Sequence, residues 1–294
     1  MGEYAQHRRG ETVVEREQDE WGYDALPEGE SPEDWAPTGI DVTIPSVARV
    51  YDAILGGKNN FAVDRRIADE ALANLSNEGA WHNRHILARG VRYLAARGID
   101  QFVDLGSGLP TVQNTHEVAQ EVNPDAAVVY VDNDPIVLAH GRALLADNSR
   151  TRVVTADLRD PADVLARPEL RELIDFTRPV GLLLVAVLHH LADDEDPAGV
   201  VRAYRDALPP GSYIFITHFC DSTPEGRALE KIFLTQLGSG RFRPLKEIES
   251  YFDGLELVDP GVVLLPLWHP DEPVTRPLTP EGHLSVGGIG RLPD

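Results

Sequence analysis

The sequence predicts an open α/β domain whose sheet is mostly parallel. Three observations carry that expectation. Short apolar runs ending in a carboxylate recur at Phe102–Asp104, Ala127–Asp132 and Arg152–Asp157. Four helix starts share one signature, a capping side chain followed by proline: Asp134-Pro135, Asp160-Pro161, Asp196-Pro197 and Thr223-Pro224. The Asp or Thr satisfies an orphan amide, and proline has no amide to leave unpaired there. Strand and helix then alternate from residue 101 onward, which means βαβ crossovers and a parallel sheet.

Taken in order, residues 1–42 are acidic, with Glu15, Glu17, Asp19, Glu20, Glu28, Glu30, Glu33 and Asp34, and they lack periodicity. Such a segment buries too little apolar surface to offset its ordering entropy, so a disordered tail is expected. Residues 43–100 read as three helices forming an N-terminal cap or lid. The first carries Val47, Val50, Tyr51, Ile54 and Leu55 and stops at Gly56-Gly57; the second covers roughly Phe61–Leu75; the third covers Asn83–Arg97, stopped by Gly98. Residues 101–270 hold the sheet. Beyond the three runs above, strands are expected at Val180–Leu188 and Ser212–His218, a helix near Leu245–Phe252, and strands at Leu255–Val258 and Val262–Trp268. The Asp259-Pro260-Gly261 turn is too short for a parallel crossover, so this last pair is expected to be antiparallel. The count is seven strands with an antiparallel last one. Residues 271–294, rich in proline and glycine, read as an irregular C-terminal tail.

Composition narrows the partners. With 294 residues and 42% hydrophobic content the chain can build a real core. The one cysteine, Cys220, excludes an intramolecular disulfide and fits a reducing, cytoplasmic setting. No run of about 18 apolar residues occurs and the first thirty residues are charged, so neither a membrane span nor a signal peptide is expected. A formal charge of −21 opposes a nucleic-acid partner, because such a surface repels phosphate. A small-molecule substrate is the better expectation.

The chemistry concentrates in Phe102-Val-Asp-Leu-Gly-Ser-Gly108, with Asp132 ending the next strand. In an open parallel sheet, ligands sit beyond the carboxyl ends of the strands where strand order reverses. Gly106, Ser107 and Gly108 let the backbone approach a ligand, and Asp132 is placed to accept ribose hydroxyls, with Asn133 or Asp134 as the alternatives. A nicotinamide cofactor fits poorly, because Thr111 stands at the third glycine of the dinucleotide fingerprint and Asp104 repels a pyrophosphate. S-adenosylmethionine, with an ammonium, a sulfonium and no phosphate, suits an acidic strand tip.

With these residues in view, the chain resembles the S-adenosyl methyltransferase family common in actinobacteria, formerly a domain of unknown function. The resemblance spans about residues 43–270 and rests on Ala48–Arg65 (ARVYDAILGGKNNFAVDR), Asp104–Thr111 (DLGSGLPT), Val129–Pro135 (VYVDNDP), Ala156–Pro161, Leu184–His190 and Leu208–Tyr213. It implies the Rossmann-like class I methyltransferase fold and bound S-adenosylmethionine, without naming an acceptor. Pro110 stands at the third glycine of the general methyltransferase motif.

Roles then follow by position. Asp104 is expected near the methionine ammonium, and Asp157 is placed to accept from the adenine amino group, with Leu158 against the ring. The main chain of Ala186 and Val187 would line the sulfonium. His189 or His190 would face the acceptor as general base, since unperturbed imidazole titrates near neutrality. No Asn/Asp-Pro-Pro-Tyr motif stands at this tip, which argues against methylation of base amines. The segment Arg49–Asn60 is expected to act as a lid, with Lys58 or Arg84 pairing the methionine carboxylate and Arg49 and Tyr51 facing the same pocket. His218 and Cys220 are read as an ordinary strand end, and no metal site is expected. The functional reading is transfer of a methyl group to oxygen or nitrogen of a small molecule. The alternative is a non-catalytic S-adenosylmethionine-binding sensor or partner, which would lack a second enclosed pocket.

Overall fold

The computed structural model describes residues 40–144 and 148–294; the acidic segment, apart from its last three residues, lies outside them. Three helices come first: α1 (Val47–Ile54), α2 (Ala62–Ala71) and α3 (Glu78–Ala95). The sheet domain follows as β1 (Gln101–Leu105), α4 (Thr115–Val122), β2 (Ala127–Asp132), α5 (Pro135–Leu144), β3 (Thr151–Thr155), α6 (Pro161–Ala166), α7 (Pro168–Leu173), β4 (Gly181–Val185), α8 (Pro197–Ala207), β5 (Tyr213–Phe219), α9 (Pro224–Gln236) and α10 (Leu245–Ser250). It closes with β6 (Glu256–Leu257), β7 (Val263–Leu264) and β8 (Ser285–Arg291). No helix among the described residues is long and apolar enough to cross a membrane.

The four helices expected from a capping residue and proline all form with those caps. Asp134 Oδ1 accepts from the Ile136 amide, and Asp160, Asp196 and Thr223 each accept from the amide three residues on. The sheet order is β3-β2-β1-β4-β5-β8-β6, with β1 to β5 parallel and β8 antiparallel to β5. Alternation along the strands splits the core into two layers. Val103, Leu182, Leu184, Ile214 and Ile216 face one side, and Phe102, Leu183 and Phe215 face the other, against α3 and α4.

Two sequence expectations fail at the end of the chain. Segments 255–258 and 262–268 contribute only the short β6 and β7, which do not pair with each other; both pair with β8. The sheet therefore has eight strands rather than seven, its last edge broken at the Asp259–Gly261 turn. The antiparallel strand is Ser285–Arg291, inside the segment read as irregular. Its glycines, which lower strand propensity, are demanded by close approach. A Cβ on Gly287 would stand 2.8 Å from Thr217 Cγ2, and one on Gly290 would stand 2.8 Å from Leu255 Cβ.

Ile289 of β8 is fully buried between β5 and the edge pieces. Ile289→Ala should cost about 2–5 kcal/mol, as a core truncation does, where an irregular tail would show almost nothing. Urea denaturation of the two proteins checks this.

Candidate active site

Strand order reverses between β1 and β4, so the chain opens at the tips of these two strands. The turn after β1 has left-handed backbone at Gly106 (φ 68°) and Gly108 (φ 67°). A Cβ on Gly106 would lie 2.2 Å from Val187 Cγ2, so glycine alone lets the turn pass beneath the residues that follow β4. Nothing stands within 4 Å of a Cβ built on Gly108, whose backbone borders open space. Across the gap, Ala186 also adopts a positive φ of 55°, held by its amide donating to Thr217 Oγ1 at 2.9 Å.

Two neighbouring cavities occupy these tips. The inner one is lined by Tyr51, Arg84, Asp104, Ser107, His189 and others, and the outer one by Arg49, Asp132, Asn133, Asp157, Leu158 and Val187 among others; Gly106, Gly108, Ala186 and His190 border both. Every residue given a cofactor or acceptor role from the sequence thus borders one cavity or the other, except Lys58. Lys58 is exposed and lines neither. Its loop is folded back onto Asp52, whose Oδ2 accepts from the Asn59 amide (2.9 Å) and from Asn60 Nδ2 (2.7 Å). Of the two cations considered for the pocket, Arg84 is the one inside it. Arg49 borders the outer cavity with its guanidinium already engaged: Nε lies 2.9 Å from Asp64 Oδ2, and the terminal nitrogens donate to the Asp41 and Ile44 carbonyls. It thus faces the pocket as expected while also holding the N-terminal helices together.

In the inner cavity, Asp104 is buried and accepts from Thr115 Oγ1 at 2.7 Å. Burial pushes its carboxyl up to about 6, opposed by the Thr115 hydrogen bond and the Arg84 charge. Arg84 Nη2 donates to the Val112 and Gln113 carbonyls (2.7 and 3.1 Å), while its Nε is buried without a hydrogen-bond partner. Ser107 Oγ and His189 Nδ1 are likewise buried and unpartnered. Buried polar atoms are ordinarily paired, so three unpaired ones around one cavity mark a place for a polar ligand.

In the outer cavity, Asp132 receives the Gly108 amide on Oδ2 (2.8 Å) and the Asp134 amide on Oδ1 (2.9 Å). Each oxygen keeps a second acceptor position. Burial raises the Asp132 carboxyl and these amides lower it. Asp157 accepts from Arg159 Nε on both oxygens (2.9 and 3.0 Å), which holds it below the usual carboxylate range; Arg159 also pairs with Glu195.

The histidines form a larger group than the sequence suggested. His189 and His190 lie in a short 3-10 turn after β4, their ring centroids 4.3 Å apart, and His218 stands 5.5 Å from His189. The reading of His218 as an ordinary strand end is corrected by this position, since it lines the inner cavity. Arg243, almost wholly buried, organises the group. It donates to the Leu191 carbonyl (2.9 Å) and lies 3.3 Å from His218 Nε2, with Asp193 and Glu247 as its carboxylate partners. Arginine only donates, so His218 accepts on Nε2 and carries its proton on Nδ1, which meets the Phe219 carbonyl at 2.7 Å. Burial lowers all three imidazoles, His190 to about 4 and His218 to about 3, so they are neutral at pH 7. Asn83 and Thr217, also missed, join the wall through Thr217 Oγ1 donating to Asn83 Oδ1 at 2.7 Å. Applying the strand-tip rule to β5 would have found Thr217 and His218; no local signal marks Asn83 or Arg243.

Comparison with known proteins bears on this arrangement. The family model described as S-adenosyl methyltransferase matches residues 33–293. A solved structure of a candidate methyltransferase from Thermobifida fusca is 54% identical, with 88% of this chain and 99% of that one covered and a TM-score of 0.85. A DUF574 family protein from Streptomyces avermitilis is 38% identical, covering 86% and 99%, with a TM-score of 0.82. Among curated proteins there is no match. A family match over most of the length, on a sheet that opens where such a cofactor is expected, is decisive: the chain belongs to the S-adenosyl methyltransferases, transferases whose cofactor is S-adenosyl-L-methionine.

Proposed function

We propose that the chain methylates oxygen or nitrogen of a small molecule held in the inner cavity, with the adenosine of S-adenosylmethionine in the outer cavity and its methionine end past the Gly106–Gly108 turn. The observation that carries this reading is the meeting of two chemically different cavities at one turn. The residues fit the parts of the cofactor. Asp104 answers an ammonium; the unpartnered Arg84 Nε and Ser107 Oγ answer a carboxylate; Asp132 has acceptor positions left for ribose hydroxyls. Leu158 offers an apolar face to a base beside Asp157. When bound, the cofactor supplies an electrophilic methyl group on a sulfonium.

The protein's own contribution is positioning and water exclusion, with modest base help. Helices α1, α2 and α9 roof the inner cavity with apolar side chains, which supports an enclosed acceptor pocket and so an enzyme rather than a sensor. His189 and His190 stand at its border as neutral imidazoles that present no positive charge to a sulfonium; the same burial weakens them as bases, so they orient an acceptor proton more than they take it. The single cysteine suits a cytoplasmic setting.

Calorimetry with S-adenosylhomocysteine tests the cofactor placement. Asp132→Ala should lower affinity roughly tenfold to a hundredfold, the loss of charge-assisted hydrogen bonds worth about 1.5–3 kcal/mol. Unchanged affinity would remove the ribose from the Asp132 tip.

Asp104 should couple binding to pH. Its folded carboxyl, at about 6, holds a proton that the unfolded chain loses near the ordinary aspartate value of 3.8. Stability of the ligand-free protein therefore falls as pH rises through that window, and the cost, about 3 kcal/mol, is fully present above it. Asp104→Asn should raise the melting temperature at pH 7.5, make no gain near pH 4, and weaken S-adenosylhomocysteine at pH 7.5. A variant less stable at pH 7.5 would contradict this account.

A further inference from the structure

Past the turn, the inner cavity leaves the sheet and runs between α1, α2 and α9. Its far wall consists of Ile54, Ala71, Leu75, Leu229, Phe233 and Phe219, part of a separate apolar cluster. None of these side chains carries a charge or a hydrogen-bonding group. Among the residues lining the cavity, the charged ones are Arg84 and Asp104, and both belong to the end read as the methionine site. A cationic amine or a carboxylate in the far chamber would lose its hydration with no opposite charge to meet it. The polar groups along the boundary are mostly engaged with one another. Thr217 pairs with Asn83, Asn83 Nδ2 donates to the Tyr51 hydroxyl (3.3 Å), and His190 Nδ1 lies 3.0 Å from Ser239 Oγ. His189 is the exception: 2% exposed, its Nδ1 has no partner. Around it the walls are rings. Phe219 meets His189 edge to face (4.8 Å) and Phe233 edge to face (6.1 Å), an environment that receives another ring by its face or edge.

We propose that the methyl acceptor is a neutral, largely apolar ring compound bearing a hydroxyl group, with that hydroxyl on His189 and the ring in the chamber of Leu75, Leu229 and Phe233. This rests on the reading of the chain as a small-molecule methyltransferase and narrows its substrate class. A hydroxyl meets the geometry better than an aliphatic amine, which is protonated at neutral pH and would bring an uncompensated charge. Binding requires the hydroxyl to pair with an atom that is otherwise buried and unsatisfied, so compounds of the same shape without a polar group should bind less well.

The test uses the full chain saturated with S-adenosylhomocysteine and three probes: 2-naphthol, 2-naphthoate and 2-phenylethylamine. Calorimetry should show 2-naphthol binding at least tenfold tighter than either charged probe. Leu75→Glu, at a half-buried position, should cut 2-naphthol affinity at least tenfold, leave S-adenosylhomocysteine affinity unchanged, and improve binding of 2-phenylethylamine. His189→Phe should weaken 2-naphthol and spare S-adenosylhomocysteine. The proposal is overturned if a charged probe binds the unsubstituted protein as tightly as 2-naphthol. It is equally overturned if no probe binds while S-adenosylhomocysteine does, or if Leu75→Glu leaves 2-naphthol untouched. Failure of S-adenosylhomocysteine itself to bind would instead overturn the cofactor placement beneath it.

Discussion

The reversal of strand order between β1 and β4 is the constraint on which the site depends. Parallel strands joined by right-handed crossovers build outward from β1, through β2 and β3 on one side and β4 and β5 on the other. The connections leaving β1 and β4 therefore diverge, and the space above their tips stays uncovered by either. Asp104, Gly106 and Ala186 lie at these tips or one step beyond, flanked by Asp132 at the end of β2 and Thr217 near the end of β5. The positive φ of Ala186 belongs to the same place, where the two cavities meet. A non-glycine residue held there costs on the order of 1–3 kcal/mol and persists because Thr217 Oγ1 accepts from its amide and anchors the backbone.

A second consequence is that the open crevice must be roofed by something outside the sheet, and the N-terminal helices do this. Their geometry is fixed by a buried carboxylate. Asp64 accepts from the Ser46 amide (3.1 Å) and the Phe61 amide (2.9 Å) and pairs with Arg49. A buried ion pair adds little net stability, but loss of one partner strands the other, so the pair specifies how α1 and α2 start more than it strengthens them. Ser46 Oγ then donates to Asp134, whose other oxygen caps α5. One carboxylate thus caps the start of a helix of the sheet domain and ties the roof to it beside the outer cavity.

Charge is divided sharply across the inner cavity. At the β1 end, burial and the Arg84 guanidinium compete for Asp104. At the far end the walls are apolar and the imidazoles neutral, with Arg243 facing His218 from behind and fixing its tautomer. That division is what the proposed function requires of a chamber shared by a positively charged cofactor and an uncharged acceptor.

Much of this was legible in the sequence because it follows from local chemistry. The Asp-Pro and Thr-Pro helix starts, the strand-ending carboxylates and the small residues of the 106–108 turn act over a few residues, and each fixed an element or a strand tip. The glycines of β8 show the opposite case: their close contacts with Thr217 and Leu255 come from segments far away in the chain, so by themselves they suggested an irregular tail. Lys58 and Arg84 were equal candidates by charge, and only the folding of the 57–60 loop onto Asp52 separated them. His218, Asn83 and Arg243 reached the site through tertiary packing for the same reason. Sequence by itself determined the strand-tip end of the site, where backbone turns and strand-ending carboxylates dictate local geometry; tertiary structure decided the apolar far end, because that wall is assembled from α1, α2, α9 and β5, whose side chains meet only once the chain is folded.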